Sequence, residues 1–495
     1  MKVRYALALP GRITALAAVL LLVCLATILL TAACGGEEEK APTGTPKATA
    51  TGTARPTAAA TATAKPTAAA TSTAEPTAAP TGTARPTAAA TGIAKPTAAA
   101  TGTTEPTAAA TATAKPAAEA PGITDTEIIL GVDNILSGAM GAVYKTITDA
   151  TRAYFDYVND TQGGVCGRKI VYKIEDNQDD PAKGLEAVRK LVEQDKVFAI
   201  VGSLGDSPHP AVYDYLNENS VPDILCSAGT SMFGADPEGH PWTIQMIPSY
   251  RNEGRFFGQY ISENLPGKKV AVLYPNIQQG YDHLQGIKDG LDPEKNKIVS
   301  EQTYEVTAVS ISSQVSNMKS SGAEVVTTIT TPGYTAQAIS QADRLGWHPQ
   351  WFLAYINSDE MLFQFVQPAT LLNGAISDQA LKLAPWTDDP AIAKHHEIMR
   401  DYNGPTPSNF TVYAQTLGEV AVAALGMTCD NLTREGLMDA LESMKDWHSD
   451  LFLDDVNVSF SETDHTGLES GHMLRAVVEN GTGRWEYFGP LLVYD

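Results

Sequence analysis

The stretch 128–174 runs from IILGV at 128–132 through AVYKTITDATRAYFDYVN at 142–159 to IVYKI at 170–174. The two outer segments are short apolar runs rich in β-branched residues, which are typical of buried strands. The middle segment repeats its apolar residues with the period of a helix that buries one face. A strand, a helix and a second strand in this order predict two parallel strands joined by a helix that covers the sheet. The stretch therefore predicts an α/β fold.

The same alternation continues along the chain and predicts two sheets. The next strand candidates are 198–202 and 224–227, and after a break near Pro248 they are 270–273, 298–304, 324–330, 351–355 and 375–378. Helical segments, such as 182–194 and 211–219, lie between them. Two blocks of this kind predict two doubly wound lobes of parallel sheet that face each other across a central ligand cleft. We expect three crossovers between the lobes, near 247–250, 377–381 and 446–452.

The C-terminal part combines helices with a strand-like tail. Helical segments are expected at 390–402, 409–429 and 433–444, followed by strand-like sequence at 451–460 and a hairpin around Asn480-Gly481. We assign residues 122–247 and 380–448 to lobe 1, and residues 251–377 and 452–495 to lobe 2.

The first 34 residues have the features of an export signal. Lys2, Arg4 and Arg12 precede an apolar run, 13–33, which ends in small residues before Cys34. We interpret residues 1–34 as a signal peptide with a lipobox-like cysteine, which makes Cys34 the lipidation site. The alternative is that the run, long enough to span a bilayer, is retained as a helix. Both interpretations place the rest of the chain outside the cytoplasm, tethered to the cell membrane in the periplasm or on the outer face.

Residues 35–121 form a repetitive segment rich in Ala, Thr and Pro. Prolines recur at every tenth position from Pro56 to Pro116, and large apolar residues are almost absent. Because such a segment has little to bury, the entropy cost of ordering it is not offset. We predict a disordered linker, and the alternative is a glycosylated Thr/Pro-rich stalk.

Composition excludes several classes of function. The net charge of −22 argues against nucleic acid as a partner, since phosphate binding requires a basic surface. After Cys34 only Cys166, Cys226 and Cys429 remain, so we predict neither a disulfide framework nor a zinc ribbon, with a Cys166–Cys226 bridge as a less favoured alternative.

The sequence contains no recognisable catalytic set. His395-His396-Glu397 lacks the second histidine of the zinc-protease motif, because Arg400 occupies that position, and we interpret this helix face as exposed and polar. The nucleophile-elbow and phosphate-loop motifs are absent. We therefore predict a protein that is not an enzyme and that has no metal site and no cofactor.

Several ordered segments carry a resemblance to a known family. They are GITDTEIILG at 122–131, GGVCGRKI at 163–170, RKLV at 189–192, VGS at 201–203, PWT at 241–243, PSY at 248–250, GWHP at 346–349 and LTREGL at 432–437. These segments resemble the type I periplasmic solute-binding proteins of branched-chain amino-acid (Leu/Ile/Val) ABC transporters, in their lipoprotein form. The resemblance covers nearly everything from Gly122 onward.

The resemblance implies candidate ligand-binding residues in lobe 1. Relatives place a Ser or Thr for the ligand carboxylate at the position of Asp206, so this contact is altered here, and Asp206 instead meets a cationic group or, as we favour, caps the following helix. Ser203 is a second candidate, equally compatible with burial at a strand end. Ala228 and Thr230 match the backbone and hydroxyl that hold an amino-acid head group in the family.

In lobe 2 the resemblance implies altered contacts. Gln279 replaces an aromatic residue found in relatives, and Tyr355 occupies the position of a glutamate that pairs with the ligand ammonium. Tyr355 is equally compatible with a core position. Tyr144 and Tyr334 lie on corresponding loops and complete the candidate set.

The resemblance implies a binding protein with transport partners. We expect a monomer that captures a small organic solute, an amino acid or an aromatic or carboxylate compound, and presents it to an ABC permease after the lobes close. The alternatives are a ligand-sensing domain of the same fold that serves a signalling receptor and, less favoured, a secreted hydrolase.

Overall fold

A computed structural model describes residues 120–138 and 140–494. The predicted signal peptide, the lipidation site and nearly all of the predicted linker lie outside these residues. The described part contains two sheets, each with its own helices, and the two-lobed α/β prediction is confirmed.

Lobe 1 is built on a five-stranded parallel sheet in the order β2-β1-β3-β4-β5. Its elements are β1 (Glu127–Asn134), α1 (Gly141–Thr161), β2 (Lys169–Asp176), α2 (Pro181–Arg189), β3 (Ala199–Val201), α3 (His209–Glu218), β4 (Asp223–Cys226), α4 (Met232–Ala235) and β5 (Thr243–Gln245). The three central strands are almost entirely buried, as expected for a sheet covered by helices on both faces.

Lobe 2 contains a seven-stranded sheet in the order β12-β11-β10-β9-β8-β6-β7. Its first elements are α5 (Tyr250–Asn264), β6 (Lys269–Pro275), α6 (Gln278–Gly290), β7 (Lys297–Tyr304), α7 (Ser312–Ser320), β8 (Val325–Thr328), α8 (Pro332–Arg344), β9 (Gln350–Leu353), α9 (Leu362–Phe365) and β10 (Ile376–Gln379). Strands β6 to β10 pair in parallel, whereas the last two strands of the chain add antiparallel pairs.

The chain then returns to lobe 1 before it ends in lobe 2. Helices α10 (Pro390–Asp401), α11 (Asn409–Met427) and α12 (Arg434–Glu442) contribute to the lobe 1 core, and strands β11 (Ser470–Glu479) and β12 (Thr482–Val493) form a hairpin on the lobe 2 sheet. Asn480 and Gly481 form its two-residue turn with φ values of 51° and 82°, so the predicted hairpin is confirmed.

Helix α11 is long and apolar enough to cross a membrane, but it is a core helix in this fold. It packs against α1, and its side chains from Val412 to Leu425 belong to the same buried cluster as those of α1. A fully buried helix satisfies the same length and hydropathy criteria as a membrane span.

Two predictions about the chain between these elements differ from the structure. The segment 451–460 forms isolated bridges such as Trp447–Val458 rather than a strand, and its apolar side chains pack in the core of lobe 1, not in lobe 2. Leu468 also belongs to that core, so the third crossover lies between Leu468 and Ser470 instead of near 446–452. Strand β5 escaped prediction because it has only three residues.

The cysteines pair differently from the expectation. Cys166, in the turn between α1 and β2, forms a disulfide with Cys429, which lies just beyond the end of α11; their Cα atoms are 5.2 Å apart. The alternative Cys166–Cys226 bridge is wrong, because Cys226 ends strand β4 and is buried as a free thiol beside Tyr213 and Phe233. The bridge exists because α11 lies along α1, which brings the ends of distant segments together.

Glycines allow α5 and α6 to approach each other closely. A Cβ atom at Gly286 would lie 2.0 Å from the carbonyl oxygen of Arg251, and one at Gly254 would lie 2.5 Å from that of His283. Larger residues would therefore separate the two helix backbones. The close contact holds the first half of α5 against the second half of α6.

Candidate functional site

A cavity of about 690 Å³ lies between the lobes, at the carboxyl ends of the strands of both sheets. Its lobe 1 walls include Ser137 after β1, Asp179 after β2 and Asp206 after β3. Its lobe 2 walls include Gln279 after β6 and Tyr355 after β9. Ligands of open α/β sheets bind at this edge, so the position of the cavity matches the predicted cleft.

The walls combine apolar side chains, tyrosines and acids. The tyrosines are Tyr144, Tyr250, Tyr304, Tyr334, Tyr355, Tyr413 and Tyr494, and the acids are Asp179, Asp206, Asp359 and Asp378. Within the described residues that line the cavity, none is Lys, Arg or His. The cavity thus offers rings, aliphatic surface and carboxyl groups, but no basic side chain.

Asp206 is the centre of the polar contacts in this cavity. Its Oδ1 accepts hydrogen bonds from the backbone N–H and the hydroxyl of Thr230, at 2.9 and 2.7 Å. Its Oδ2 accepts from Tyr250 at 3.2 Å and from Gln279 at 3.1 Å. Burial raises the pKa of Asp206 to about 6, although the Thr230 and Tyr250 donors oppose the rise. The helix-capping interpretation of Asp206 is wrong, since α3 begins only at His209 and the carboxylate bonds elsewhere.

Three predicted residues of lobe 1 do not line the cavity. Ser203 is fully buried and donates a hydrogen bond to Asp133, below the sheet edge. Ala228 is buried beside Cys226, and Thr230 is buried and acts on the cavity only through its two hydrogen bonds to Asp206. Of the four lobe 1 candidates named on strand ends, only Asp206 faces the cavity.

The predicted residues on the other loops do line it. Tyr355 stacks on Tyr250, with ring centroids 5.4 Å apart and planes 16° from parallel, and its hydroxyl donates to the Pro248 carbonyl at 3.1 Å. Tyr334 donates its hydroxyl to the carbonyl oxygens of Val306 and Ala308.

Tyr144 is largely buried at the cavity wall and packs edge-on against Phe410, 6.1 Å between ring centroids. Gln279 crosses from lobe 2 to bond Asp206 in lobe 1. The structure therefore brings Asp206, Gln279 and Tyr355 together around Tyr250 and places Tyr144 and Tyr334 on the surrounding wall.

A second contact between the lobes mirrors the first. Asp282, on α6 of lobe 2, accepts hydrogen bonds from the backbone N–H and the hydroxyl of Ser231 in lobe 1, at 2.7 and 2.8 Å. Each lobe thus supplies one carboxylate that is bound by donors of the other lobe. Asp282 was not predicted, because nothing in the sequence distinguishes a carboxylate that points across the cleft from one that is solvated on a helix.

Behind Tyr355 lies a buried pair of carboxyl groups. Glu253 accepts the backbone N–H of Tyr355 at 2.7 Å through Oε1, and Asp378 accepts the Tyr494 hydroxyl through Oδ2. No donor among the described residues reaches Glu253 Oε2 or Asp378 Oδ1. Burial raises the pKa of Glu253 to about 7 and that of Asp378 well above its usual value. A proton shared between the two side chains satisfies both oxygens.

The histidine-rich helix face is not the exposed surface that we expected. His395 is fully buried and bonds Gln415 and Thr411 at 2.8 Å, and His396 bonds the Ala384 carbonyl. Burial lowers the pKa of His395 to about 4. The described part of the chain contains no group of three or more His, Cys, Asp or Glu side chains arranged to hold a metal ion.

Several known proteins are similar to this chain in sequence. A family model described as periplasmic binding protein matches residues 127–482. The chain is 28% identical to an amino acid binding protein of Pseudomonas aeruginosa over 207 residues, which are 40% of this chain and 53% of that protein. It is 26% identical to Leu/Ile/Val-binding protein homolog 3 of Brucella melitensis over 205 residues, again 40% and 53%. The chain spans about half the length of the curated relatives it matches.

Solved structures match this chain over a longer range than these two relatives do. A fatty acid ABC transporter substrate-binding protein from Thermomonospora curvata has a TM-score of 0.65 at 24% identity, covering 75% of this chain and 94% of the other. A branched chain amino acid ABC transporter protein from Thermus thermophilus, with bound valine, has a TM-score of 0.66 at 18% identity, covering 75% and 97%. At these identities the structures establish the type I periplasmic-binding-protein fold. The family match covers most of the chain, and the protein therefore belongs to the periplasmic binding protein family.

Proposed function

We propose that this protein captures a small organic solute outside the cytoplasm, in the cavity between its lobes, and presents it to an ABC permease. The observation that carries the proposal is the cavity at the strand ends, closed on one side by the Asp206–Gln279 and Ser231–Asp282 contacts between the lobes. A ligand that contacts both lobes favours the closed arrangement over an open one. A permease can then distinguish the loaded protein from the empty one.

The walls support a solute with a substantial apolar or aromatic part. A volume of about 690 Å³ falls within the range of cavities that bury drug-sized ligands, roughly 300–1,000 Å³. The stacked pair Tyr250–Tyr355 provides flat aromatic surface, which suits a ring or an aliphatic chain. Amino acids and aromatic compounds both belong to the class that we propose.

We propose that the protein works as a membrane-anchored lipoprotein monomer, with Cys34 as the lipidated residue and residues 35–121 as the linker. The Cys166–Cys429 disulfide supports a location outside the cytoplasm, because disulfides persist in oxidising compartments. The proposed lobe boundaries are those of the sequence analysis, with the segment 452–468 moved to lobe 1 on the evidence of its core contacts.

The function predicts stabilisation by one class of solute. We expect the full-length protein to gain about 1.4 kcal/mol of unfolding free energy at ten times the Kd of its ligand, which raises the Tm by a few degrees. A thermal-shift screen of amino acids, aromatic acids, amines, alcohols and short amides measures this, with mass spectrometry to show that the solute is unchanged. If no solute shifts the Tm, or if a solute is hydrolysed, the proposal is wrong.

The proposed site predicts a loss of affinity in Tyr355→Ala. Removing the ring deletes one half of the stacked wall, and we expect the best solute of the screen to bind about tenfold more weakly. Tyr260→Ala is the matched control, because Tyr260 packs on Phe352 in the same lobe but does not line the cavity. Equal affinity for the two variants in isothermal calorimetry would remove Tyr355 from the site.

A further inference from the structure

Two loop residues of lobe 1 beside the cleft, Thr230 and Ser231, direct their hydrogen-bond donors at carboxylates of the chain itself. The backbone N–H and hydroxyl of Thr230 both bond Asp206, and those of Ser231 both bond Asp282. A loop end with free N–H groups would suit an anionic ligand. Here two internal carboxylates fill that role, so a ligand carboxylate would have to compete with them.

Four of the seven tyrosine hydroxyls of the cavity are occupied in the same way. Tyr250 donates to Asp206 and Tyr355 donates to the Pro248 carbonyl. Tyr334 donates to two backbone carbonyls and Tyr494 donates to Asp378. Two neutral donors, the hydroxyls of Tyr144 and Tyr304, bond no group among the described residues and remain at the walls beside the carboxyl groups.

The charge of the cavity has the same sign throughout. Asp179 is exposed to the cavity and its carboxylate accepts no hydrogen bond from a donor in the described ranges. Desolvation there, together with the neighbouring charge of Asp206, raises the pKa of Asp179 to about 6. The charge of His209 lowers the pKa of Asp206. However, His209 is buried, bonds Asp223 at 2.9 Å and does not line the cavity.

Asp378, a buried acid on another wall of the cavity, also disfavours a negatively charged ligand. Asp378 lines the cavity, is 1% exposed, and has one carboxyl oxygen that no donor among residues 120–138 and 140–494 reaches. Carboxylates in an apolar cavity are costly unless a proton or a cation accompanies them. The proton shared with Glu253 removes this cost at Asp378, so this wall adds a penalty only on a ligand that brings a further negative charge.

We infer that the cavity binds an apolar solute that carries an ammonium group and no carboxylate. The ammonium pairs with Asp179 and Asp206 at the lobe 1 wall, and the apolar part lies against the tyrosine and aliphatic walls. The inference rests on the proposed function, since it names the class of solute for that same cavity. It narrows the proposed class of solutes to those without a carboxylate, and therefore leaves out amino acids and carboxylic acids.

Three ligands that differ only in their polar end test the inference. We expect n-octylamine to bind the full-length protein at least about tenfold more tightly than 1-octanol at pH 8, and octanoate to bind more weakly than 1-octanol, as measured by isothermal calorimetry. If octanoate binds as tightly as octylamine, or if octanol equals octylamine, the inference is overturned while the solute-binding function stands. If no solute of any class binds, the proposed function itself fails.

A single substitution adds a test of the pairing residue. Asp179→Asn removes the charge but keeps the size of an exposed side chain, and we expect it to weaken octylamine binding about tenfold while leaving octanol unchanged. Asp388→Asn is the matched control, because Asp388 is exposed and does not line the cavity. Equal octylamine affinity in the two variants contradicts the pairing with Asp179.

Discussion

Replacing Cys429 with serine is expected to lower the free energy of unfolding by about 2–4 kcal/mol. The disulfide joins residues that are 263 positions apart, so its loss releases a very long loop in the unfolded chain. It also frees the end of α11 from the turn after α1, at one edge of the lobe 1 core. A loss of this size is a large part of the 5–15 kcal/mol that stabilises an ordinary domain.

Urea unfolding with and without reductant tests this prediction. A reducing agent should shift the midpoint of the wild-type protein towards that of Cys429→Ser, and it should leave the variant where it is. The free thiol at Cys226 is common to both proteins and cancels in the comparison. A variant as stable as the oxidised wild type would show that the bridge contributes nothing.

The disulfide also illustrates where reasoning from sequence stops. The positions of three cysteines do not determine which of them pair, because pairing depends on which helices lie side by side. The contact of α11 with α1 brings together residues that are far apart in the chain. Nothing in the local sequence around Cys166 or Cys429 reports that contact.

Much of the fold was predictable because local patterns carry it. Apart from the three-residue β5, the strands and helices from β1 to β10 produce their signals within short windows, and the Asn480-Gly481 turn is a strong local hairpin signal. The segment 452–468 carries a misleading signal, because its strand-like part forms only isolated bridges. Its residues pack individually into the lobe 1 core without regular pairing, so their place is determined by tertiary contacts alone.

Part of the site was predictable, because the carboxyl ends of parallel strands converge at one edge of a sheet. Asp206, Gln279 and Tyr355 follow different strands and meet at one cavity. Which of the polar residues at a strand end faces the cavity was not predictable, as Ser203 and Thr230 show by being buried just beside it. Tyr250 and Asp378 come from the crossovers, and they enter the site only because the lobes face each other.

The pair Glu253–Asp378 lies where the crossovers pass between the lobes, and it links that region to the cavity wall. Glu253 is near the start of α5, directly after the first crossover, and Asp378 is in β10, directly before the second. Tyr494 and the backbone of Tyr355 complete the hydrogen bonds of the pair. His283 lies beside Glu253, 3.5 Å away, but burial lowers its pKa to about 3, so it is neutral and does not balance a charge there.

Glu253→Gln is expected to stabilise the protein at pH 8 by about 1–3 kcal/mol and to have little effect at pH 5. The pKa of Glu253 is raised to about 7 in the folded protein, above its ordinary value of 4.5. Between these values the folded state holds a proton that the unfolded state has lost, so the unfolding free energy falls as the pH rises from about 4.5 to 7, and the full cost remains above 7. The amide removes this cost.

The substituted side chain can keep the local contacts. Its oxygen accepts the Tyr355 N–H, and its NH₂ group donates to the Asp378 oxygen that lacks a donor. Urea unfolding of both proteins across pH 5–8 measures the difference, in which the titration of the acids remote from Glu253 cancels. Glu263→Gln is the matched control, because Glu263 is an exposed glutamate on the same helix and should show no pH-dependent difference. A Glu253→Gln variant that is less stable than the wild type at pH 8 would mean that folding stabilises the Glu253 carboxylate instead of raising its pKa, and the proton shared with Asp378 would have to be abandoned.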